Sequence, residues 1–143
     1  MTGVQTCALP ICFPVTISGT IEHMNRTELQ AKLEAKTALL WEEFCEMYPT
    51  LCKFDAPKIV INGRFTKTAG CCEVEQNIVH MGYKFFAKHS AVMFAVILPH
   101  ELAHQVDYNL NGLPKNNRWH GSTWRKIMVE FGLEPNPYHS LEI

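Results

Sequence analysis

An apolar pattern with helical spacing extends from residue 29 to residue 47 and stops before Pro49, which predicts an N-terminal helix. Asn25 or Thr27 can cap this helix, and Gln30 stands three residues after Thr27, as in a capping box. We expect one face of the helix to pack in the core. The core-facing positions are Leu29, Leu33, Leu40, Phe44 and Met47.

Short runs of β-branched and apolar residues follow, and they predict a small sheet. The Asn62-Gly63 dipeptide is typical of a two-residue hairpin turn between antiparallel strands. Gly70, inside the second run, indicates a bulge or a close approach of another part of the chain. We therefore expect a three-stranded antiparallel sheet. Its strands are predicted at residues 59–61, 68–74 and 76–81.

Ser90 can cap a second helix that extends to about Asn109. Residues 91–98 are apolar on every side, so we expect this half of the helix to be buried all round. Pro99 lacks a backbone donor and its ring clashes with the carbonyl of Ala95, which predicts a kink just before residue 100.

A third helix is predicted after a loop that contains proline and two asparagines. The Asn111-Gly112 pair ends the second helix, and the third starts near His120 or Gly121 and ends at Gly132. Its inner face is expected to carry Trp124, Ile127, Met128 and Phe131.

The composition is typical of one globular domain. Of 143 residues, 47% are apolar and 19% are charged, so the chain can bury a core and is not a disordered polymer. The longest apolar run, residues 91–99, is too short to cross a bilayer, and no membrane partner is expected. One helix before a small sheet and two after it predict an α+β fold.

The charge pattern gives little support for a polyanionic partner. The formal net charge is -1, so global electrostatics do not favour nucleic acid. Between Lys53 and Lys88, six Lys or Arg residues stand against three acidic residues. A solvated face is the favoured interpretation of this basic stretch, and a weak nucleic-acid contact is the alternative. A monomer is expected.

The first twenty residues are left out of the predicted fold. Residues 4–11 look like a translated sequencing adapter, so we expect a leader at 1–20 and the domain at 21–143, with Met24 as a candidate natural start. No signal peptide is readable, because a basic leading region is missing and Pro10 and Pro14 interrupt the stretch. The six cysteines form no C-x-x-C pair, and we expect reduced thiols in a cytoplasm.

The residues that carry chemistry form the pentad His100-Glu101-Leu102-Ala103-His104 on the second predicted helix. Two histidines four residues apart lie on one helix face, so both imidazoles can reach one metal ion. Glu101 lies beside them, where it can accept a proton from a water that the metal activates. Two structural histidines on a buried helix are the alternative, but they would crowd polar groups in a dry core. The pattern favours a zinc-dependent hydrolase, most simply a peptidase.

A catalytic zinc ion takes three protein ligands and keeps one position open, so a third ligand is expected. A metzincin would carry it at position 110, and Leu110 excludes that class. His120 is favoured, because the loop before it can fold back over the metal and Gly121 leaves room. Asp107, one turn after His104, can instead orient a ligand or face solvent. The candidates are His120, His139, Asp107 and Glu130, the last of which would make the site a gluzincin.

Five short stretches of the chain occur in the same order in one known family. They are Ile61-Asn62-Gly63-Arg64, Thr68-Ala69-Gly70, Pro99-His100-Glu101-Leu102-Ala103-His104, His120-Gly121-Ser122-Thr123-Trp124 and Tyr138-His139-Ser140. Through them, residues 57–143 resemble the SprT-like family of zinc metalloproteases, to which bacterial SprT and eukaryotic Spartan belong. The agreement covers over half of the chain and is more specific than the pentad alone.

The resemblance implies a zincin-like metalloprotease domain with Zn²⁺ as its cofactor. It places the metal on His100, His104 and His120 and the catalytic role on Glu101. It also implies a protein substrate, and because Spartan cleaves proteins crosslinked to DNA, substrates associated with DNA are an expectation for a bacterial or phage enzyme. The cysteine-bearing zinc ribbon of bacterial SprT has no counterpart here, since no cysteine follows Cys72.

Two other functions stay open from the sequence. One is a non-proteolytic, zinc-stabilised binding module that contacts nucleic acid or transcription and replication proteins. The carboxylate of Glu101 favours the enzyme, because a purely structural metal site does not need it. The other is a hydrolase of small molecules with the same site. His139 and Tyr138 recur in the family pattern, near the cleft or as a clamp for the C-terminus, and a structural role is favoured for both.

Overall fold

The computed structural model describes residues 25–143, so the predicted leader and Met24 lie outside the described residues. Helices and a three-stranded sheet are both present, which confirms the α+β prediction. The helices are α1 (Arg26–Met47), α2 (Phe86–Val92), α3 (Leu98–Asn111) and α4 (Ser122–Glu130). The strands are β1 (Lys58–Asn62), β2 (Gly70–Glu73) and β3 (Ile78–Gly82). Short 3₁₀ turns lie at Pro49–Lys53, Tyr83–Phe85 and Lys115–Asn117.

Helix α1 begins with a reciprocal cap between Asn25 and Glu28. The Asn25 side chain accepts from the backbone of Glu28 at 2.8 Å, and the Glu28 carboxylate accepts from the backbone of Asn25 at 3.2 Å. Asn25, one of the two predicted caps, is thus the cap, and the capping box with Gln30 is wrong. Gln30 instead donates to the carbonyl of Ile59 at 2.8 Å, which ties α1 to β1.

The inner face of α1 is the one that the periodicity predicts. Leu29, Leu33, Leu40 and Phe44 are buried, while Met47 at the helix end is half-buried. Burial of these side chains against the sheet and α3 supplies the hydrophobic stabilisation of this layer.

The sheet is mixed, so the prediction of an antiparallel sheet is wrong for one of its two pairings. The strand order is β1-β3-β2, with β2 antiparallel and β1 parallel to β3. Asn62-Gly63 is not a hairpin turn, because the Asn62 side chain accepts from the backbone of Arg64 at 2.8 Å and starts a loop that carries the chain away. The hairpin turn lies between β2 and β3, where Asn77 has a positive φ of 58°.

The predicted second helix is present but interrupted. Helical residues begin at Phe86 rather than Ser90, but His89 interrupts them with a non-helical φ of -127° and ψ of 32°. A π-helical turn over Met93–Ile97 then separates α2 from α3. The backbone N–H of Leu98 donates to the carbonyl of Met93, five residues back. Pro99 therefore stands in the first turn of α3, where a missing N–H costs little. The irregularity that the structure shows lies before Pro99, in the wide turn over Met93–Ile97, and the kink stays a prediction.

The predicted burial of residues 91–98 on every side is wrong. Ala91 and Ala95 are exposed, and three further residues of this stretch are only partly buried. Burial is complete one turn later, where all ten residues from Leu98 to Asp107 are buried. The reason is position, since α3 packs against α1, β2 and α4 at once.

Helix α4 agrees with the sequence prediction within two residues at each end. Gly112 and Gly132, with φ of 80° and 90°, follow α3 and α4 as expected. Trp124, Ile127 and Met128 are buried. Phe131 is half-buried and stacks on Phe44 of α1, with ring centroids 4.0 Å apart. Within residues 25–143, no helix combines the length and apolar character needed to cross a membrane.

Candidate metal centre

Three histidines from two segments meet at the centre of the described structure. His100 and His104 project from the same face of α3, one turn apart, because the helix repeats every 3.6 residues. His120 lies at the end of the loop that follows α3, just before Gly121 caps α4. Arg125 donates to the carbonyl of His120 at 3.2 Å, which fixes the end of that loop.

The spacing of the three imidazoles fits a tetrahedral metal ion. The Nε2 atom of His104 lies 3.3 Å from that of His100 and 3.2 Å from that of His120. The three ligand atoms all lie within 4.8 Å of one another. Two nitrogen ligands about 2.0–2.1 Å from a tetrahedral zinc ion stand roughly 3.3 Å apart, which is the spacing observed for these two pairs. Three imidazole nitrogens this close together could supply the three protein ligands of such an ion.

Trp124 packs against all three histidines. Its indole is fully buried and stacks on the ring of His104, with centroids 5.2 Å apart and an interplanar angle of 15°. The edges of His100 and His120 meet the same indole at centroid distances of 4.9 and 4.7 Å. The sequence predicted Trp124 only as a core anchor. Its position four residues after His120 was the available signal for this contact.

Burial keeps the histidines in their neutral, metal-binding form. Desolvation, helped by the charges of His104, His139 and His120, lowers the pKa of His100 to about 2. Desolvation and the charge of His120 lower the pKa of His104 to about 3. The pKa of His120 is also lowered, by desolvation first and then by Arg125 and His139. A metal ion needs unprotonated imidazole, so these environments favour binding.

Glu101 is buried beside the histidines. One of its carboxylate oxygens lies 3.8 Å from Nε2 of His100. Desolvation raises its pKa to about 8, and such shifts are typical of carboxyl groups that handle protons in clefts. Gly70 of β2 gives this side chain its room, because a Cβ there would stand 2.9 Å from Ile97 Cγ2 and 3.1 Å from Glu101 Cγ. The close approach predicted for Gly70 is thereby confirmed.

Gln105, which sequence analysis does not single out, joins helix α3 to the edge of the sheet. Its amide nitrogen donates to the carbonyl of Val74 at 3.0 Å and to Asn109 at 2.9 Å. Its oxygen accepts from the thiol of Cys72 at 3.5 Å. These bonds satisfy a buried amide and hold β2 against α3.

An open cleft of about 370 Å³ leads to the histidines and Glu101. A smaller lobe of about 210 Å³ continues from it past Lys67 and His139. Tyr138 lines both spaces and is 79% exposed, so its ring stands at the rim. A larger groove of about 620 Å³ lies between α1 and β1, away from the three histidines. Other residues of the main cleft are Thr68, Gly70, Cys71, Cys72, Trp119 and Pro137.

The other candidates for the third ligand do not join the cluster. Glu130 is exposed and accepts a hydrogen bond from the Tyr48 hydroxyl. Asp107 is buried and accepts from Asn111 at 2.9 Å, so the solvent-facing role considered for it is wrong. His139 lies nearby, with its ring centroid 5.4 Å from that of His100, but outside the three-histidine group.

Comparison with known proteins shows the family of the chain. The family model of the SprT-like family matches residues 33–139, about three quarters of the chain. The protein belongs to the SprT-like family. It is 29% identical over 124 residues to Protein SprT of Pasteurella multocida (strain Pm70), an alignment that covers 86% of this chain and 68% of that protein. No solved structure matches the chain significantly.

Proposed function

We propose that this protein is a zinc metallopeptidase with a zincin-like domain over residues 21–143. His100, His104 and His120 would hold the metal, and Glu101 would be the catalytic residue. The observation that carries the proposal is a buried carboxylate 3.8 Å from one of three converging imidazole nitrogens. A metal site that only stabilised a fold would have no use for that carboxylate.

The chain's own residues supply the proton handling and the binding. A zinc ion held there would act as a Lewis acid and lower the pKa of a coordinated water to about 7. Glu101 accepts the proton of the attacking water and delivers it to the departing amine of the cleaved peptide. Glu101 is buried, and the open cleft that leads to it is where the peptide would bind.

The test is the exchange of Glu101 for glutamine. Glu101→Gln keeps the shape of the side chain and removes the base, so hydrolysis of denatured casein should fall by about 100-fold or more, while bound zinc stays at one per chain. Glu43→Gln, the same change on the exposed face of α1, is the matched control and should retain full activity. Undiminished hydrolysis by zinc-loaded Glu101→Gln protein would refute the catalytic role.

DNA-associated proteins are the substrate class that we propose, on the strength of the family. A protein crosslinked to single-stranded DNA should be cleaved faster than the same protein free in solution. Equal cleavage of the crosslinked and the free protein would support a general peptidase without preference for DNA-associated substrates. Hydrolysis of small esters or amides alone would favour a small-molecule hydrolase. Zinc binding with DNA binding but no hydrolysis would instead favour the binding module.

The four described cysteines are free thiols, as in proteins of a reducing cytoplasm.

A further inference from the structure

Two buried nitrogen atoms without hydrogen-bond partners lie on neighbouring rings beside the metal centre. They are Nδ1 of His100 and Nε2 of His139. The ring centroids of the two histidines are 5.4 Å apart, and the rings meet edge to face at 72°. A buried polar group without a partner costs free energy, so each atom needs a partner, and the two rings that carry these atoms are neighbours.

The two atoms have complementary roles if His100 binds a metal. Its Nε2 faces the other two histidines, so its proton must reside on Nδ1, which becomes a donor. Histidine ligands almost always donate this second N–H to an acceptor that fixes the ring. Among the described residues no acceptor is bonded to it. The nearby Trp124 indole can only donate, and it already donates to the carbonyl of His100 at 3.5 Å.

His139 in its Nδ1–H tautomer offers the missing lone pair at Nε2. Ring nitrogens lie a little over 1 Å from a ring centroid, so two that face each other across the observed separation stand about 3 Å apart, within hydrogen-bond range. The separation of the two rings therefore allows a hydrogen bond between these nitrogens when both face each other.

The segment that carries His139 is anchored on both sides of it. We call residues 133–143 the C-terminal strap. Before His139, Arg125 donates to the carbonyl of Pro135 at 3.3 Å. After it, Lys88 donates to the carbonyl of Ile143 at 3.1 Å, and the His89 ring bonds the carbonyl of Glu142 at 2.7 Å. The strap thus holds an imidazole against the metal centre rather than in solvent.

We propose that His139 is a positioning residue whose Nε2 accepts the Nδ1–H of His100 and so fixes the tautomer and orientation of that ligand. The inference rests on the proposed metal site. It gives the strap a role in metal binding, beyond the structural role that the sequence favoured for His139.

The experiment measures zinc affinity of the full chain by competition with a chromophoric chelator. His139→Phe keeps a ring but no acceptor, and zinc should bind 10- to 100-fold more weakly. His139→Gln restores an acceptor oxygen and should recover part of the loss. Ser140→Ala changes an exposed neighbour on the strap and leaves both the anchors and the His139 imidazole in place, so it should bind zinc as the parent protein does.

A second readout follows the proton itself. In zinc-loaded protein labelled with ¹⁵N at histidine, His100 Nδ1 should show the shift of a hydrogen-bonded N–H, and that shift should change in His139→Phe but not in Ser140→Ala. Parent-like zinc affinity of His139→Phe, or an equal loss in Ser140→Ala, would overturn the inference. Those results would leave the peptidase proposal standing, because that proposal fails on the Glu101→Gln activity comparison instead.

Discussion

Helices α1 and α3 differ in how much of their surface is buried and in which residues they bury. Helix α1 has one buried face and one exposed face over 22 residues, with a capping box at its start. Helix α3 begins directly from a π-helical turn, without a side-chain cap, and its first ten residues are buried. Five of those ten residues are polar or charged, namely His100, Glu101, His104, Gln105 and Asp107.

The difference separates residues that hold the fold together from residues that the site requires. Burial of apolar side chains in α1 stabilises the protein directly. Burial of polar side chains in α3 costs free energy unless each polar group finds a partner. Gln105 and Asp107 find theirs within the protein, whereas the three histidines lie within metal-binding distance of one another. Helix α1 therefore stabilises the fold, and helix α3 carries the polar residues of the candidate metal centre at some cost to stability.

The largest effect should come from removing a ligand on α3. His104→Ala removes the imidazole whose Nε2 lies closest to both of the others, so zinc binding and peptide hydrolysis should each fall by more than about 100-fold. Chelator competition and a casein assay measure the two losses. In excess chelator the variant should unfold in urea close to the parent midpoint. A large destabilisation of the metal-free protein would contradict the division between the two helices.

A core change in α1 should do the reverse. Leu33 is fully buried, and Leu33→Ala should lower the free energy of unfolding by about 2–5 kcal/mol, through lost burial and the cavity left behind. Urea denaturation gives this value, and zinc affinity of the folded protein should not change. Leu39→Ala, on the exposed side of the same helix, is the matched control and should stay within about 0.5 kcal/mol of the parent.

The contact between β2 and α3 is tested by adding one methyl group. In Gly70→Ala the new Cβ meets Ile97 and Glu101 at 2.9 and 3.1 Å, so Glu101 must shift, and kcat should fall about tenfold with zinc retained. Gly63→Ala is the control. Its Cβ meets only the far end of the flexible Arg26 side chain, which can move aside. Equal activity of the two variants would mean that Glu101 tolerates the displacement.

The smallest effect is expected at the cap of α1. Asn25→Ala removes the acceptor for the Glu28 backbone and should cost about 1 kcal/mol of unfolding free energy. Thr27→Ala removes the other residue that the sequence offered as a cap and should change stability by less than about 0.5 kcal/mol. Thermal unfolding of both variants compares them. The opposite ranking would place the cap at Thr27.

Local patterns were enough to predict much of this molecule. The inner face of α1 follows from helical spacing, and the pairing of His100 with His104 follows from the length of one helical turn. His120 was favoured over Glu130 and His139 because a loop can return to a helix face, and the structure brings it to the other two histidines. The leader at residues 1–20 and the domain start at 21 stay predictions.

The predictions that failed concern features that depend on contacts between distant parts of the chain. The parallel pairing of β1 with β3 joins residues twenty positions apart, while the Asn62-Gly63 signal reports only local turn preference. The apolar pattern does not predict that residues 98–107 are more buried than residues 91–98, because burial depends on which neighbouring elements pack on each stretch. The contact of Trp124 with all three histidines and the strap beside His100 likewise arise only in the assembled fold.

The mixed sheet also has a consequence for the order in which the chain assembles. Strands β2 and β3 are joined by a four-residue turn, whereas β1 must wait for a partner that lies beyond β2 in the chain. Closing the shorter loop costs less conformational entropy and is faster. We therefore expect the hairpin that borders the histidines to form early in refolding and β1 to join late, so that the edge of the sheet beside the candidate metal centre is in place before the opposite edge pairs with it.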